Sequence, residues 1–149
     1  KGMAPDRFMP DGKITRAQLA TLLDRMLNFG LDDSLPNPFK DNLPDYARRS
    51  ILALQQHGVM QAFSDGTFRP NEPVTRAQLA LYLHRALQTS LEGEVSYRDE
   101  REIPEWAREA VKQMTLLGIL EGDDQGRFLP NQHVTRAQVA AVLYRLSGQ

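Results

Sequence analysis

No cysteine occurs in the 149 residues. Disulfides, thiolate zinc sites and cysteine nucleophiles are therefore excluded, although this absence fixes no compartment. Nor is there an excess of charge of one sign: 18 basic side chains stand against 19 acidic ones, for a formal net charge of -1. Nucleic-acid binding usually draws on a broad positive field, so no nucleic-acid partner is expected. The longest apolar runs fall far short of a membrane span. No signal peptide is visible, and the chain opens at Lys1 rather than Met, so it is expected to be a piece of something longer. Catalytic signatures are missing too. There is no Gly-x-Ser-x-Gly, no phosphate-cradling glycine loop and no recurring pair of acids placed for glycoside hydrolysis. His57, His84 and His133 occupy unrelated positions without metal-ligand spacing and read as surface or boundary residues. Asp123-Asp124-x-Gly126 and Ser64-Asp65-Gly66 lack the alternating acids and terminal Glu of a calcium loop and read as turns. No metal, cofactor or catalytic residue is expected.

What is present is ordinary in amount and unusual in order. Hydrophobic residues make up 41% and charged residues 25%, as in a folded soluble chain. Thr-Arg-Ala-Gln occurs at residues 15–18, 75–78 and 135–138, at an equal interval of sixty. The same interval aligns Phe8, Phe68 and Phe128, then Pro10, Pro70 and Pro130, then Ala20, Ala80 and Ala140. A fixed period over the whole chain marks a repeat architecture. Residues 45–60 align with 105–120, and Phe39-Lys40-Asp41 aligns with Tyr97-Arg98-Asp99 after a two-residue shift. The first copy lacks this upstream half. The expected units are a partial repeat over 1–30 without its first helix, a second over 38–88 and a third over 96–149.

Each full unit predicts two helices. The first begins near Pro44 or Pro104, where a proline suits the first turn. Ala47, Ile51 and Leu54 form its apolar stripe, as do Ala107, Val111 and Met114. Gly58 and Gly118 read as left-handed stops. Polar loops follow, with Phe68 and Phe128 as apolar pins. The second helix starts at Thr15, Thr75 or Thr135, and the Gln three residues on completes a capping box. Its apolar face is predicted at Leu19, Leu22, Leu23 and Met26, at Leu79, Tyr82, Leu83 and Ala86, and at Val139, Val142, Leu143 and Leu146.

Capping explains Thr and Gln but not Arg. A cation in the first helical turn faces the positive end of the dipole, at a cost of about 0.3–1 kcal/mol when exposed. Arg16, Arg76 and Arg136 place one there three times. Two readings stand open. Each Arg reaches away to a carboxylate or loop carbonyl, or each joins free helix N–H groups in holding an external anion.

These residues resemble the S-layer homology family. Phe39-x-Asp41 and Tyr97-x-Asp99 match its opening. Trp106 matches its aromatic, replaced by Tyr46 in the second repeat. Gly-x-Phe-x-Pro at 66–70 and 126–130 matches its loop, and the Thr-Arg-Ala-Gln tetrads match its Thr-Arg-Ala-Glu with Gln for Glu. The resemblance implies an all-α, pseudo-threefold array of helix-loop-helix repeats, a three-pronged spindle with grooves between neighbours. It implies non-covalent anchoring of exported proteins at the bacterial cell surface. The partner would be an acidic, often pyruvyl-ketal-bearing, secondary cell-wall polysaccharide, or in some members a peptidoglycan-linked polymer. By resemblance, Arg16, Arg76 and Arg136 would contact the anionic substituent, and Tyr46 and Trp106 would flank sugar rings. Asp41 and Asp99 would accept sugar hydroxyls, or hold an Arg or a loop N–H. Gln in place of Glu keeps the cap but removes a negative charge beside each Arg. The absent first helix implies an upstream segment or a second chain completing the first repeat. The alternative function is a protein-interaction or assembly module that keeps the fold without binding glycan.

Overall fold

The computed structural model describes residues 12–148. Phe8, Pro10 and the rest of the first eleven residues, with Gln149, lie outside the described part. Among the described residues the regular structure is helical: α1 (Arg16–Leu27), α2 (Arg48–Gln56), α3 (Arg76–Leu87), α4 (Arg108–Leu116) and α5 (Arg136–Leu146). The all-α expectation is met.

The helix starts follow from local chemistry. Thr15, Thr75 and Thr135 each adopt an extended backbone, and the hydroxyl of each accepts from the Gln three residues on while that Gln side chain accepts from the Thr backbone N–H. All three capping boxes are formed, each contributing about 1 kcal/mol. Gly58 and Gly118 take φ of 77° and 76° and end α2 and its counterpart α4, as a residue without Cβ can at no steric cost. The prolines act differently from expectation. Pro44 and Pro104 do not open an α-helix. Their carbonyls accept from Ala47 and Ala107, at 3.0 and 2.9 Å, closing one tight turn before α2 and α4 begin at Arg48 and Arg108. In the third copy this turn is the 3-10 segment Glu105–Ala107, which carries Trp106.

The core is one cluster. It holds the predicted stripes of α2 and α4, the inner faces of α1, α3 and α5, and the pins Phe68 and Phe128, both fully buried. Burying a phenylalanine side chain contributes about 1.5–3 kcal/mol. Phe39 meets Phe68 edge-on at 5.1 Å and Tyr97 meets Phe128 at 5.3 Å. Met26 departs from the predicted face of α1 and is 37% exposed. The helices pair across repeat boundaries, α1 against α2 and α3 against α4.

A cycle of backbone hydrogen bonds joins the three copies. Ile14 N donates to Val134 O (3.0 Å), Val134 N to Val74 O (2.9 Å) and Val74 N to Ile14 O (3.1 Å). A second cycle surrounds it: Arg16 N to Glu72 O (2.8 Å), Arg76 N to Gln132 O (2.9 Å) and Arg136 N to Gly12 O (3.1 Å). Within each cycle every copy donates to one neighbour and accepts from the other, and the two cycles run in opposite senses, which closes the array about a pseudo-threefold axis. The first helical N–H of each second helix, normally an orphan, finds its partner in another repeat.

Candidate functional site

The second cycle bears on the second of the two readings for these helix starts. The N-terminal amides of α1 and α3 are not open to an external anion. Arg16 N and Ala17 N donate to Glu72 O and Pro70 O, Arg76 N and Ala77 N to Gln132 O and Pro130 O, and the next amide to the capping Thr. Closing the ring consumes them.

The guanidinium groups of Arg16 and Arg76 also turn inward, to loop carbonyls. Arg16 Nε donates to Phe68 O at 2.8 Å, Nη2 to Gln61 O at 3.2 Å, and Nη1 to the Tyr82 hydroxyl. Its plane lies 4.6 Å from the Phe63 ring centre and 4.5 Å from that of Phe68. Arg76 repeats the pattern: Nε to Phe128 O at 2.6 Å, Nη2 to Glu121 O at 2.7 Å, with the Phe128 ring centre 4.5 Å away. Arg16 is 1% exposed. Burial lowers its pKa from the ordinary arginine value, opposed by the Tyr82 hydroxyl. Burial lowers that of Arg76 too. Arginine stays charged regardless. Among the described residues no carboxylate lies within ion-pair distance of Arg16, and every acceptor it uses is neutral.

Asp41 and Asp99 serve the same loops. Asp41 accepts from Phe68 N and Arg69 N, at 2.9 and 2.8 Å, and Asp99 from Phe128 N and Leu129 N, both at 2.8 Å. Arg69 and Leu129 have φ of 59° and 61°, a left-handed conformation uncommon for side chains of this size. Each carboxylate clamps the two amides around that bend. This holds the Phe carbonyl where it accepts from the Arg of the preceding repeat. Of the two readings for these acids, the observed contacts are those of the loop-holding one.

A cleft of about 330 Å³ opens above Arg16. Three copies build it. The first supplies Arg16, the second Gln61, Phe63 and the α3 side chains Gln78, Tyr82 and Arg85, and the third Trp106. Trp106 is 54% exposed at its rim, and Tyr46, its counterpart, is 40% exposed. Arg85 is steadied by Val59 O at 3.4 Å. Arg136 borders a different hollow, with Leu22, Met26 and Tyr144. The structure thus brings Arg16 and Trp106 together and leaves Arg136 apart from both. Sequence reasoning missed Gln61, Phe63, Tyr82 and Arg85 as lining residues. Tyr82 and Arg85 stand one helical turn apart on α3, and that spacing was the available signal. It was masked because Tyr82 also fits the core stripe.

The family model for the S-layer homology domain matches residues 38–80 and 96–140, more than half of the chain. The chain belongs to the S-layer homology domain family. Over 97% of its length it is 35% identical to an endoglucanase of Bacillus sp. (strain KSM-635), of which it spans 16%. It is 30% identical over 73% of its length to the surface-layer 125 kDa protein of Lysinibacillus sphaericus, spanning 9% of it. It is 28% identical over its whole length to the S-layer protein sap of Bacillus anthracis, spanning 18%. The chain thus covers less than a fifth of each relative. Membership in the family places it at the bacterial surface, outside the cell, as a cell-wall anchoring module. Among the described residues, no helix is long and apolar enough to cross a membrane, and no cluster of His, Cys, Asp or Glu is placed to hold a metal ion.

Proposed function

We propose that the chain anchors a larger exported protein by holding an acidic secondary cell-wall polysaccharide, bearing pyruvyl ketals, in the clefts between its repeats. The observation that carries this reading is the Arg16 cleft. There a buried cation without a carboxylate partner, a second guanidinium on Arg85 and a half-exposed indole converge on one hollow. A ring face suits the C–H surface of a pyranose, and a guanidinium fork suits a carboxylate. Arg16, Arg76 and Arg136 contribute the positive charge of the clefts. Trp106 and Tyr46 flank sugar rings. Asp41 and Asp99 act by shaping the loops beneath. The first thirty residues belong to this design as a partial repeat. Any enzymatic activity of the full protein resides in other segments, to which this module is tethered.

The test is co-sedimentation with purified bacterial walls, before and after mild acid hydrolysis of the ketals. Binding to intact walls, loss after hydrolysis and loss in W106A are expected. Equal binding to treated and untreated walls would overturn the acidic-glycan reading. A second reading, an assembly module without glycan binding, draws on the apolar hollow of about 360 Å³ bordered by Leu22, Met26, Leu143 and Tyr144. It predicts no wall binding from the outset.

A further inference from the structure

We infer that the Arg16 cleft and the corresponding surface at Arg76 are not equivalent, and that Glu121 and Asp123 disfavour anionic sugars at Arg76 while leaving the Arg16 cleft as the carboxylate-selective site. This inference rests on the glycan-binding reading above and sharpens it to one cleft.

The hydrogen-bond scaffold at the two arginines is the same. In each, the Arg of one repeat donates to a Phe carbonyl and to a loop carbonyl of the next. In each, an Arg of the following helix also rests on a carbonyl, Arg85 on Val59 O and Arg145 on Ile119 O at 2.8 Å. The residues around that scaffold differ in one direction. At the Arg76 side the sixty-residue interval replaces Gln61 by Glu121, Phe63 by Asp123 and Tyr82 by Val142. The Arg16 cleft is lined by Arg16 and Arg85 and by no acid. On the Arg76 side, Arg145 Nη2 lies 3.9 Å from the Glu121 carboxylate. Asp123 stands beside the loop, 2.9 Å from Arg127, and is held ionised by the Arg127 backbone N–H and side chain and by Gln125 N–H. Its carboxyl sits below the ordinary range for that reason.

A carboxylate entering the Arg16 cleft meets two cations and no fixed anion. A carboxylate approaching Arg76 meets Arg145 beside the Glu121 carboxylate, and an Asp123 carboxylate whose own ion pair is with Arg127. It also loses the aromatic walls that Phe63 and Tyr82 provide. A like charge built into the wrong site is one way a binding surface acquires specificity. At separations of several Å near a protein surface, one such charge weakens anion binding about tenfold.

The experiment is an NMR titration of the intact chain that follows the arginine Nε–H signals of Arg85 and Arg145. The probes are a pyruvyl-ketal hexosamine monosaccharide, which is anionic, and the same hexosamine without the ketal. In the parent chain the Arg85 signal moves with the anionic probe, and the Arg145 signal requires at least about tenfold more of it. Q61E, at an exposed position, shifts the Arg85 titration to about tenfold higher concentration. E121Q, whose carboxylate is 81% exposed, brings the Arg145 titration toward that of Arg85 without touching the core. Equal titration of both arginines in the parent, or no change in either single variant while the Arg85 site binds, overturns the inference and leaves the glycan reading standing. Failure of the anionic probe to move either signal removes both.

Discussion

Removal of the Asp99 carboxylate tests whether that acid holds the loop or receives sugar. Asp99 is 9% exposed, and its two oxygens accept from Phe128 N and Leu129 N at 2.8 Å each. A hydrogen bond to a charged group contributes about 1.5–3 kcal/mol. In D99A both amides lose their acceptor, and Leu129 loses the clamp that offsets its left-handed backbone. Allowing for water reaching Leu129 N, the expected destabilisation is about 3–5 kcal/mol, a large share of a domain's marginal stability. D99N keeps one acceptor oxygen and turns an amide group toward the second N–H, at a cost of about 2 kcal/mol. Urea unfolding at neutral pH, followed by far-UV circular dichroism, gives both numbers. Amide exchange at Phe128 and Leu129 reports the clamp directly and should accelerate in both variants. A D99A chain within about 1 kcal/mol of the parent, with exchange unchanged, would refute the clamp. If D99N then lost wall binding at parental stability, the sugar-contacting role would be the correct one.

Three further outcomes follow from the same geometry. R16A leaves Phe68 O, Gln61 O and the Tyr82 hydroxyl without their donor, and should cost about 2–4 kcal/mol in urea unfolding. T75A removes one capping hydroxyl and should cost about 1 kcal/mol in the same assay, with no effect on the rim Trp fluorescence. Asp65 and Asp123 have carboxyls held below their ordinary value, Asp65 by the Thr67 hydroxyl and Asp123 by the Arg127 backbone N–H. A depressed folded pKa contributes stability that is present above the unfolded value near about 3.9 and is lost as pH falls through the lower folded value. Thermal melts of D65N and D123N should therefore fall behind the parent above about pH 4 and approach it as pH falls through the lowered folded value.

Whatever depends on neighbours within one turn of chain was legible in the residues. The capping boxes join Thr and Gln three apart, and all three formed. The glycine stops after α2 and α4 and the buried Phe68 and Phe128 were equally readable, because each is set by backbone sterics or by apolar burial. The prolines misled by a few residues: Pro44 and Pro104 favour a tight turn as readily as a helix start, and only packing against the core chooses. Met26 sits on the right stripe of α1, yet it lies beyond the part of that face its neighbours cover.

The repeat period by itself determined that three similar units exist, that each carries a capped second helix, and that a cation sits at every one of those helix starts. Only the tertiary structure decided what each cation does. The partners of Arg16 lie 45, 52 and 66 residues away. The amides beside it are consumed by a ring whose three segments are far apart in the chain. Contacts at that separation leave no trace in local spacing. They exist because closing the ring buries the shared core, and that closure turns an exposed charge at a helix start into the floor of a cleft.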